Sequence, residues 1–225
     1  MKQYLSTLLI FSILSSCMAS NEALTHYNTE HLRNYVDQGH YGLAIDDQAK
    51  SALVQVKTWF NANPNINYDQ TAAIFDIDET LLSSYDFIEQ SDFDYSLDQL
   101  DAWMELEQAT PISPIIDVYQ KLRAKGVKIH IITGRHEPLR QATENNLRQA
   151  GIDDWESLHM RPHNNGSDAI KNYKQAIYEE ISKSGTNIIL AIGDQYPDIM
   201  NEKAKVRVKL PNPFYNIMKG DIDLD

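Results

Sequence analysis

Short apolar runs of strand length alternate with stretches of helical periodicity along this chain of 225 residues. Strands are predicted over 71–76, 127–132, 158–160, 187–192 and 206–210, and helices over 31–61, 112–125, 137–149 and 168–183. Strands that follow one another through helices pair in parallel, and a parallel sheet is buried on both faces. The pattern therefore predicts an α/β domain, with helices on both faces of a parallel sheet and a helical extension before it.

The connection between the first two strands is longer than a crossover requires. The helix over 112–125 is sufficient for the return to the sheet, so residues 83–111 are surplus. A long insertion at the carboxyl end of a central strand is typical of a cap over an active site. Tyr85 and Trp103 of this insertion are candidate substrate contacts. The alternative is a helical excursion that only shields the sheet.

The first residues have the pattern of an export signal. A mostly apolar run over 4–14 is too short to cross a bilayer but suits a signal peptide. The sequence LSSC, which ends at Cys17, resembles the lipobox of bacterial lipoprotein precursors, and this implies cleavage before Cys17 and lipidation of its sulfur. The alternative is an ordinary secretory signal, cut at Ala19 or Ser20, with an incidental cysteine.

This interpretation divides the chain into four parts. They are a signal peptide over 1–16, a tether over 17–27, a catalytic domain over 28–216 and a tail over 217–225. The lipoprotein resemblance implies an anchor at the periplasmic face of a bacterial membrane. Met18, the residue after Cys17, implies by the same resemblance that this membrane is the outer membrane.

The composition excludes two classes of site. The net charge is −12, so the chain is not expected to bind a nucleic-acid polymer, whose phosphates require cations. Cys17 is the only cysteine, which excludes an intrachain disulfide and a cysteine-rich zinc site. No pattern in the sequence fixes the oligomeric state.

Two candidate catalytic residues follow the first predicted strand. Asp76 and Asp78 come directly after an apolar run, in the sequence FDIDETLL, and cannot both face the core. One ionised carboxylate can attack phosphorus and bind a cation, while the other, when protonated, can give its proton to a leaving alkoxide. Acidic turns are common, so the apolar strand before the pair is what favours a site.

A possible phosphate-binding group follows the second strand. Thr133 supplies a hydroxyl at the strand end, and Gly134 frees the amide of Arg135. These groups can hold a phosphate oxygen, and Arg135 can contact the substrate. An ordinary junction between strand and helix is the alternative interpretation.

A lysine and two aspartates complete the set. Lys174 lies within the apolar stripe of the helix over 168–183, whereas Lys171 lies off its edge; a buried lysine needs a partner or a function, unless its amine reaches water. Asp194 and Asp198 follow the next strand, where their oxygens suit Mg²⁺ or form an Asx turn. Because ligands collect at the carboxyl ends of strands, we expect all these groups to meet.

Several short sequences resemble those of the haloacid dehalogenase (HAD) superfamily, and within it the secreted acid phosphatases of subfamily IIIB, with class B-like, plant and lipoprotein members. They are FDIDETLLSS (75–84), IITGR (131–135), LHMRP (158–162), NYK (172–174), IGDQYPD (192–198) and KLPNPFY (209–215). The resemblance implies a Rossmann-like HAD fold with a small helical cap. It also implies Mg²⁺-dependent hydrolysis of small phosphate monoesters, with nucleotides among the candidate substrates.

The resemblance assigns roles to single residues. It implies that Asp76 is the nucleophile and forms an aspartyl-phosphate, and that Asp78 is the general acid and then the base. Thr133 binds the phosphoryl group and Lys174 stabilises charge. Mg²⁺ is held by Asp76, Asp194 and the backbone carbonyl of Asp78, with Asp198 beside it or bound through water. A catalytically silent binding or storage lipoprotein on the same fold is the alternative, and the presence of Asp76 argues against it.

Overall fold

The computed structural model describes residues 29–162, 167–183 and 185–215. The predicted signal peptide, Cys17 and the tail over 217–225 lie outside these residues. The chain divides into two compact units, residues 1–40 and 41–225. In the first unit, residues 29–37 form a helix, α1, which ends before a turn at Gly39 with φ of +77°. The single helix predicted over 31–61 is therefore interrupted, because a residue with positive φ cannot continue an α-helix.

Five parallel strands form the central sheet of the second unit. From one edge to the other they are β5 (Ser157–Arg161), β4 (Lys128–His136), β1 (Thr71–Phe75), β6 (Asn187–Gly193) and β7 (Val206–Lys209). The order places β1 at the centre and β7 at an edge. It confirms the prediction of an α/β fold with a parallel sheet.

Helices connect the strands. The described helices after α1 are α2 (His40–Ala62), α3 (Tyr85–Gln90), α4 (Leu97–Met104), α5 (Ser113–Arg123), α6 (Arg140–Gln149), α7 (Ser167–Lys183) and α8 (Tyr196–Ile199), with 3-10 turns at Tyr68–Gln70 and Glu137–Leu139. Among the residues that the structure describes, no helix is both long and apolar enough to cross a membrane.

Both faces of the sheet are covered. All residues of β1 are buried, and so are all residues of β6 after its first. Because successive side chains of a strand point to opposite faces, neither face of these strands is open to solvent. On one face, Tyr178 and Ile181 of α7 pack with Ile74, Ile132 and Ile188 of the sheet.

Strand β4 is longer than the sequence predicts. The apolar run ends at Ile132, but the strand continues to His136, where it pairs with Arg161 of β5 after a shift of register. Arg161 Nε donates a hydrogen bond to Gly134 O at 3.0 Å. A glycine among polar residues is typical of a loop, and here this cross-strand contact keeps it in the sheet.

The insertion after β1 is a small cap with helices α3 and α4. The short strands β2 (Leu82–Ser83) and β3 (Thr110–Pro111) pair antiparallel where the insertion leaves and rejoins the domain. The Phe87 side chain packs against Tyr95 and Trp103, with distances between ring centroids of 5.2 and 5.4 Å. These three rings form the core of the cap.

Hydrogen bonds join the cap to the rest of the domain. Asn145 Nδ2 of α6 donates to Glu107 Oε1 at 2.7 Å, and Asn146 Nδ2 donates to Ala109 O at 2.9 Å. Nearer the sheet, His136 Nε2 lies 2.6 Å from Asp101 Oδ2 of α4. The cap is thus attached both at its base and beside the end of β4.

A chain of polar side chains joins β4 and β5. His130 Nδ1 lies 2.6 Å from Ser157 Oγ, which in turn lies 2.7 Å from His159 Nε2. Burial, together with His159 and Lys128, lowers the pKa of His130 from 6.5 to about 4, and burial also lowers the pKa of His159. The folded protein therefore disfavours the protonated imidazoles.

We predict that His130 makes the fold sensitive to acid. Its pKa is lower in the folded chain than the ordinary value of 6.5, so the unfolded chain takes up the additional proton. This lowers the free energy of unfolding as the pH falls from about 6.5 towards 4. His130→Gln cannot be protonated, so urea denaturation at pH 7 and pH 4.5 should show a smaller loss of stability in this variant.

The matched control is His31→Gln, because His31 is exposed. It should keep the pH dependence of the wild-type chain. Identical losses of stability on acidification in wild type and His130→Gln would contradict the prediction.

Candidate active site

The carboxyl ends of β1, β4 and β6 border a cavity of about 430 Å³. Its lining includes Asp76 and Asp78 after β1, Arg135 of β4, Lys174 of α7 and Asp194 after β6. All of these were predicted from the sequence as candidate site residues. They meet because the carboxyl ends of parallel strands lie along one edge of the sheet.

The loop after β1 directs two carboxyl groups to the cavity. Ile77 between them is fully buried, and its carbonyl oxygen accepts hydrogen bonds from the N–H groups of residues 80–82. The Asp76 N–H donates to Ile192 O at 3.1 Å, which ties the loop to β6. With Ile77 anchored in the core, Asp76 and Asp78 on either side of it line the cavity.

Lys174 is a buried cation between two carboxylates. Its Nζ donates to Asp76 Oδ1 at 2.6 Å and to Asp198 Oδ1 at 2.5 Å. Burial disfavours the charged form of Lys174, but Asp198 and Asp76 outweigh this effect and raise the pKa of the lysine. Lys171 is exposed. The structure therefore brings Lys174, and not Lys171, into the cluster.

The cluster carries more negative than positive charge. Burial raises the pKa of Asp76 well above its ordinary value, against the effect of Lys174. Burial, Asp198 and Glu79 raise the pKa of Asp194 from 3.8 to about 7. Asp76, Asp194 and Asp198 each offer an oxygen, and these oxygens lie within 4.8 Å of one another.

This excess of charge fits a divalent cation. When all three are ionised, these buried carboxylates carry two more charges than the one ammonium of Lys174 offsets, and buried charge without a partner is costly. Carboxylate oxygens are the ligands that Mg²⁺ takes in proteins. The residues present therefore fit a divalent cation with a preference for oxygen ligands.

The two aspartates after β6 have different surroundings. Gln195 Nε2 and Asn212 Nδ2 donate to Asp194 Oδ2 at 2.6 and 2.7 Å, so the other oxygen, Oδ1, is the one that can bind a cation. Both oxygens of Asp198 instead accept hydrogen bonds. Oδ1 accepts from Lys174 Nζ, and Oδ2 accepts from the Gln195 N–H at 2.7 Å. The geometry favours Asp194 as a metal ligand and Asp198 as the residue that holds Lys174.

Gly193 allows Asp198 to approach the end of β6. A Cβ atom at position 193 would overlap the Asp198 carboxyl group. Tyr178 of α7 holds the same residue by donating its hydroxyl hydrogen to Asp198 O. Packing therefore requires a glycine at the start of the sequence GDQYPD, because a side chain there would collide with Asp198.

Asp78 is paired with Arg135. Arg135 Nε and Nη2 lie 3.0 and 2.7 Å from Asp78 Oδ1, and Arg135 is almost fully buried. Thr133 is also buried, and its Oγ1 accepts a hydrogen bond from the Arg135 N–H at 3.0 Å. The cavity is lined by Gly134 and Arg135 but not by Thr133. In this arrangement Thr133 supports Arg135 rather than facing the cavity.

The cap supplies one wall of the cavity, but not through the residues expected from the sequence. Tyr85 and Trp103 do not line the cavity, whereas Tyr95 does. Trp103 stacks on Phe87 and Tyr85 packs against Phe214, at 5.4 and 5.0 Å. Large aromatic rings gain most from burial against each other, so these two serve the core of the cap and its base.

Three residues beside the site were not predicted from the sequence. They are Glu79, Asn212 and Tyr215. Glu79 is fully buried, and its Oε2 accepts from Tyr215 OH at 2.6 Å. Burial and Asp78 raise the pKa of Glu79 from 4.5 to about 7. All three lie inside the matched sequences FDIDETLLSS and KLPNPFY, but apolar periodicity does not reveal that the segment after β7 returns to the site.

Comparison with known proteins identifies related sequences. The family model of the HAD superfamily, subfamily IIIB (acid phosphatase), matches residues 9–218. Acid phosphatase 1 of Solanum lycopersicum is 34% identical over 151 residues, which cover 64% of this chain and 58% of the tomato protein. The stem 31 kDa glycoprotein of Glycine max is 31% identical over 76% of this chain and 69% of the soybean protein.

A storage protein is also among the relatives. Vegetative storage protein 1 of Arabidopsis thaliana is 32% identical over 64% of this chain and 54% of its own length. The chain thus spans less than two thirds of the tomato and Arabidopsis relatives.

Solved structures share the fold. The class C acid phosphatase from Bacillus anthracis superposes on this chain with a TM-score of 0.67 and 20% sequence identity. The superposition covers 88% of both proteins. The same class C enzyme with tungstate bound gives a TM-score of 0.65, at 18% identity.

Proposed function

The chain belongs to the acid phosphatases of subfamily IIIB of the HAD superfamily, and we propose that it hydrolyses small phosphate monoesters through a phosphorylated Asp76. One observation carries this proposal. Asp76 is buried at the edge of the cavity, 2.6 Å from the Lys174 ammonium and two positions before Asp78. A nucleophile, a neutralising cation and a second carboxyl group are the parts that such a reaction needs.

The proposed reaction has two steps. An Asp76 oxygen attacks phosphorus, and the bond from phosphorus to the ester oxygen breaks. Asp78, protonated and released from its ion pair with Arg135 for this step, gives its proton to that oxygen. Water then loses a proton to Asp78 and attacks the phosphorus of the aspartyl-phosphate, which releases inorganic phosphate and restores Asp76. Asp78 is thus an acid in the first step and a base in the second.

Cations must offset the charge of the substrate. A phosphate dianion next to buried carboxylates would be repelled, and the Lys174 ammonium and the Arg135 guanidinium, which both line the cavity, oppose this repulsion. Mg²⁺, held by Asp76, Asp194 and the backbone carbonyl of Asp78, would neutralise charge on the oxygens of the transferred phosphoryl group. Asp198 would act by keeping Lys174 in place.

Two further observations support an organic phosphate as the ligand. Ile88, Leu100 and Met104 of the cap line the cavity beside the charged residues, so a leaving group with an apolar body fits this wall. The Bacillus anthracis enzyme was solved with tungstate, a tetrahedral oxyanion with the shape of phosphate. We expect oxyanions of this class to compete with substrate in the present chain.

Storage without catalysis is a second candidate function, because a vegetative storage protein is among the relatives. Storage requires neither a nucleophile nor a second carboxyl group at the cavity. The Asp76–Lys174 ion pair and the placement of Asp78 favour an enzyme.

Export is part of the proposal, with a lipid anchor at Cys17 and the periplasmic face of the outer membrane as the destination. Its support is the apolar run over 4–14 followed by LSSC. We expect Cys17→Ser to abolish incorporation of labelled palmitate when the full chain is expressed in a bacterial host. Equal labelling of both proteins would exclude the anchor.

We predict that Asp76→Asn abolishes turnover while the protein stays folded. The amide has the size of the carboxyl group but is not a nucleophile, so release of phosphate from an aryl phosphate should fall at least about a thousandfold. EDTA should stop the wild-type enzyme, and Mg²⁺ should restore it. The control is Asp117→Asn, an exposed aspartate of α5 that should leave the rate unchanged.

The same assay separates the two candidate functions. A wild-type chain that releases no phosphate at any pH, with or without Mg²⁺, would favour storage. A normal rate in Asp76→Asn would remove the covalent mechanism.

We predict that the effect of Asp78→Asn depends on the leaving group. Alkoxides need a proton as they depart, whereas nitrophenolate does not, so kcat for glycerol phosphate should fall about tenfold or more beyond the fall for nitrophenyl phosphate. Steady-state kinetics on both substrates measure the difference. Equal losses on both would contradict the role of Asp78 as proton donor.

A further inference from the structure

The segment after β7 runs alongside the loop that carries Asp194. The Leu210 N–H donates to Gly193 O at 2.8 Å, so the pairing of β7 with β6 extends to the residue before Asp194. Residues 211–215 then continue across the edge of the site. The side chains of Asn212 and Tyr215 contact residues of the site, and the ring of Phe214 packs against the domain and the cap.

Asn212 holds Asp194 in one orientation. Its Oδ1 accepts from the N–H groups of Phe214 and Tyr215, at 2.8 and 3.3 Å, and therefore its Nδ2 must face the other way. That nitrogen lies 2.7 Å from Asp194 Oδ2. The backbone turn thus fixes the amide, and the amide fixes the carboxylate.

Tyr215 holds the loop that carries the proposed nucleophile. Its hydroxyl donates to Glu79 Oε2 at 2.6 Å, while the Ser84 N–H donates to Glu79 Oε1 at 2.7 Å. Glu79 is fully buried and has a φ of 51°, which is uncommon for a residue other than glycine. A residue in that conformation persists only where its surroundings hold it, and these two donors do so.

Phe214 secures the segment against the domain and the cap. Its ring lies 5.1 Å from Tyr41 of α2, 5.0 Å from Tyr85 and 6.4 Å from Phe93, between ring centroids. Burial of such a cluster stabilises the segment independently of the polar contacts. The position of Asn212 and Tyr215 is therefore set by packing before any ligand binds.

We propose that Asn212 and Tyr215 form a C-terminal clamp that sets the affinity of the cation site, with Asn212 acting on Asp194 and Tyr215 acting through Glu79. This proposal rests on the proposed function, since it presumes that Asp76 and Asp194 bind a divalent cation. Asn212 is a positioning residue, and Tyr215, which also lines the cavity, acts on the cation site only through Glu79. Partners that orient metal ligands in this way are commonly worth about 10- to 100-fold in metal affinity.

The direct test is the dissociation constant of Mg²⁺, measured by calorimetry without substrate. Asn212→Ala should raise it about tenfold or more, because Asp194 keeps only the Gln195 donor. Tyr215→Phe keeps the ring and should raise it by a smaller factor. Asn61→Ala, which changes an exposed asparagine at the end of α2, should leave it unchanged.

A second variant separates the clamp from general damage to the turn. Asn212→Ser keeps an acceptor for the N–H groups of residues 214 and 215 but is too short to reach Asp194. It should lose Mg²⁺ affinity as Asn212→Ala does, with a circular dichroism spectrum like that of the wild type. Wild-type Mg²⁺ affinity in either folded variant would overturn the proposal.

A measurement on the wild-type chain needs no variant. Because coupling between two sites is reciprocal, Mg²⁺ should slow hydrogen exchange at the amides of residues 212, 214 and 215. Unchanged exchange at saturating Mg²⁺ would overturn the clamp even if the variants failed to fold. A wild-type chain that bound no divalent cation would instead count against the proposed function, so the two failures are distinguishable.

Discussion

The ion pairs of Lys174 organise the rest of the site. A buried ammonium without partners would cost several kcal/mol, so it requires the carboxylates of Asp76 and Asp198, which follow different strands. Removing either carboxylate would leave the buried ammonium with one partner instead of two. This requirement ties β1, β6 and α7 together at one point, and it leaves the cluster with the excess negative charge that suits a divalent cation.

The site is built from segments far apart in the sequence because the sheet is parallel. Each strand delivers its following loop to the same edge, and the chain supplies two aspartates after β1, Arg135 at the end of β4 and two aspartates after β6. The loops are then fixed by local features of the sequence. Ile77 anchors the first loop in the core, and Gly193 makes room for Asp198 in the last. After β7, Asn212 and Tyr215 hold Asp194 and Glu79 through hydrogen bonds.

The sequence predicted the elements with periodic patterns and the charged groups next to them. Strand ends located Asp76, Asp78 and Asp194, and the apolar stripe of α7 distinguished Lys174 from Lys171. Contacts that depend on packing were not predictable in this way. The end of β4 depends on a hydrogen bond from Arg161, the cap wall contains Tyr95 rather than Tyr85 or Trp103, and the bond from Tyr215 to Glu79 joins residues with no shared periodicity. The predicted signal peptide and Cys17 lie outside the described residues.

The proposed mechanism requires Asp76 to carry the phosphoryl group during turnover. The most direct measurement is mass spectrometry of peptides after the enzyme, mixed with an aryl phosphate and Mg²⁺, is quenched in acid within its first turnovers. We expect a phosphoryl group on Asp76 in the peptide that spans β1 and the loop after it, and none in Asp76→Asn treated in the same way. Steady release of phosphate from a wild-type enzyme that never shows this modification, or that shows it on another residue, would rule out Asp76 as the nucleophile.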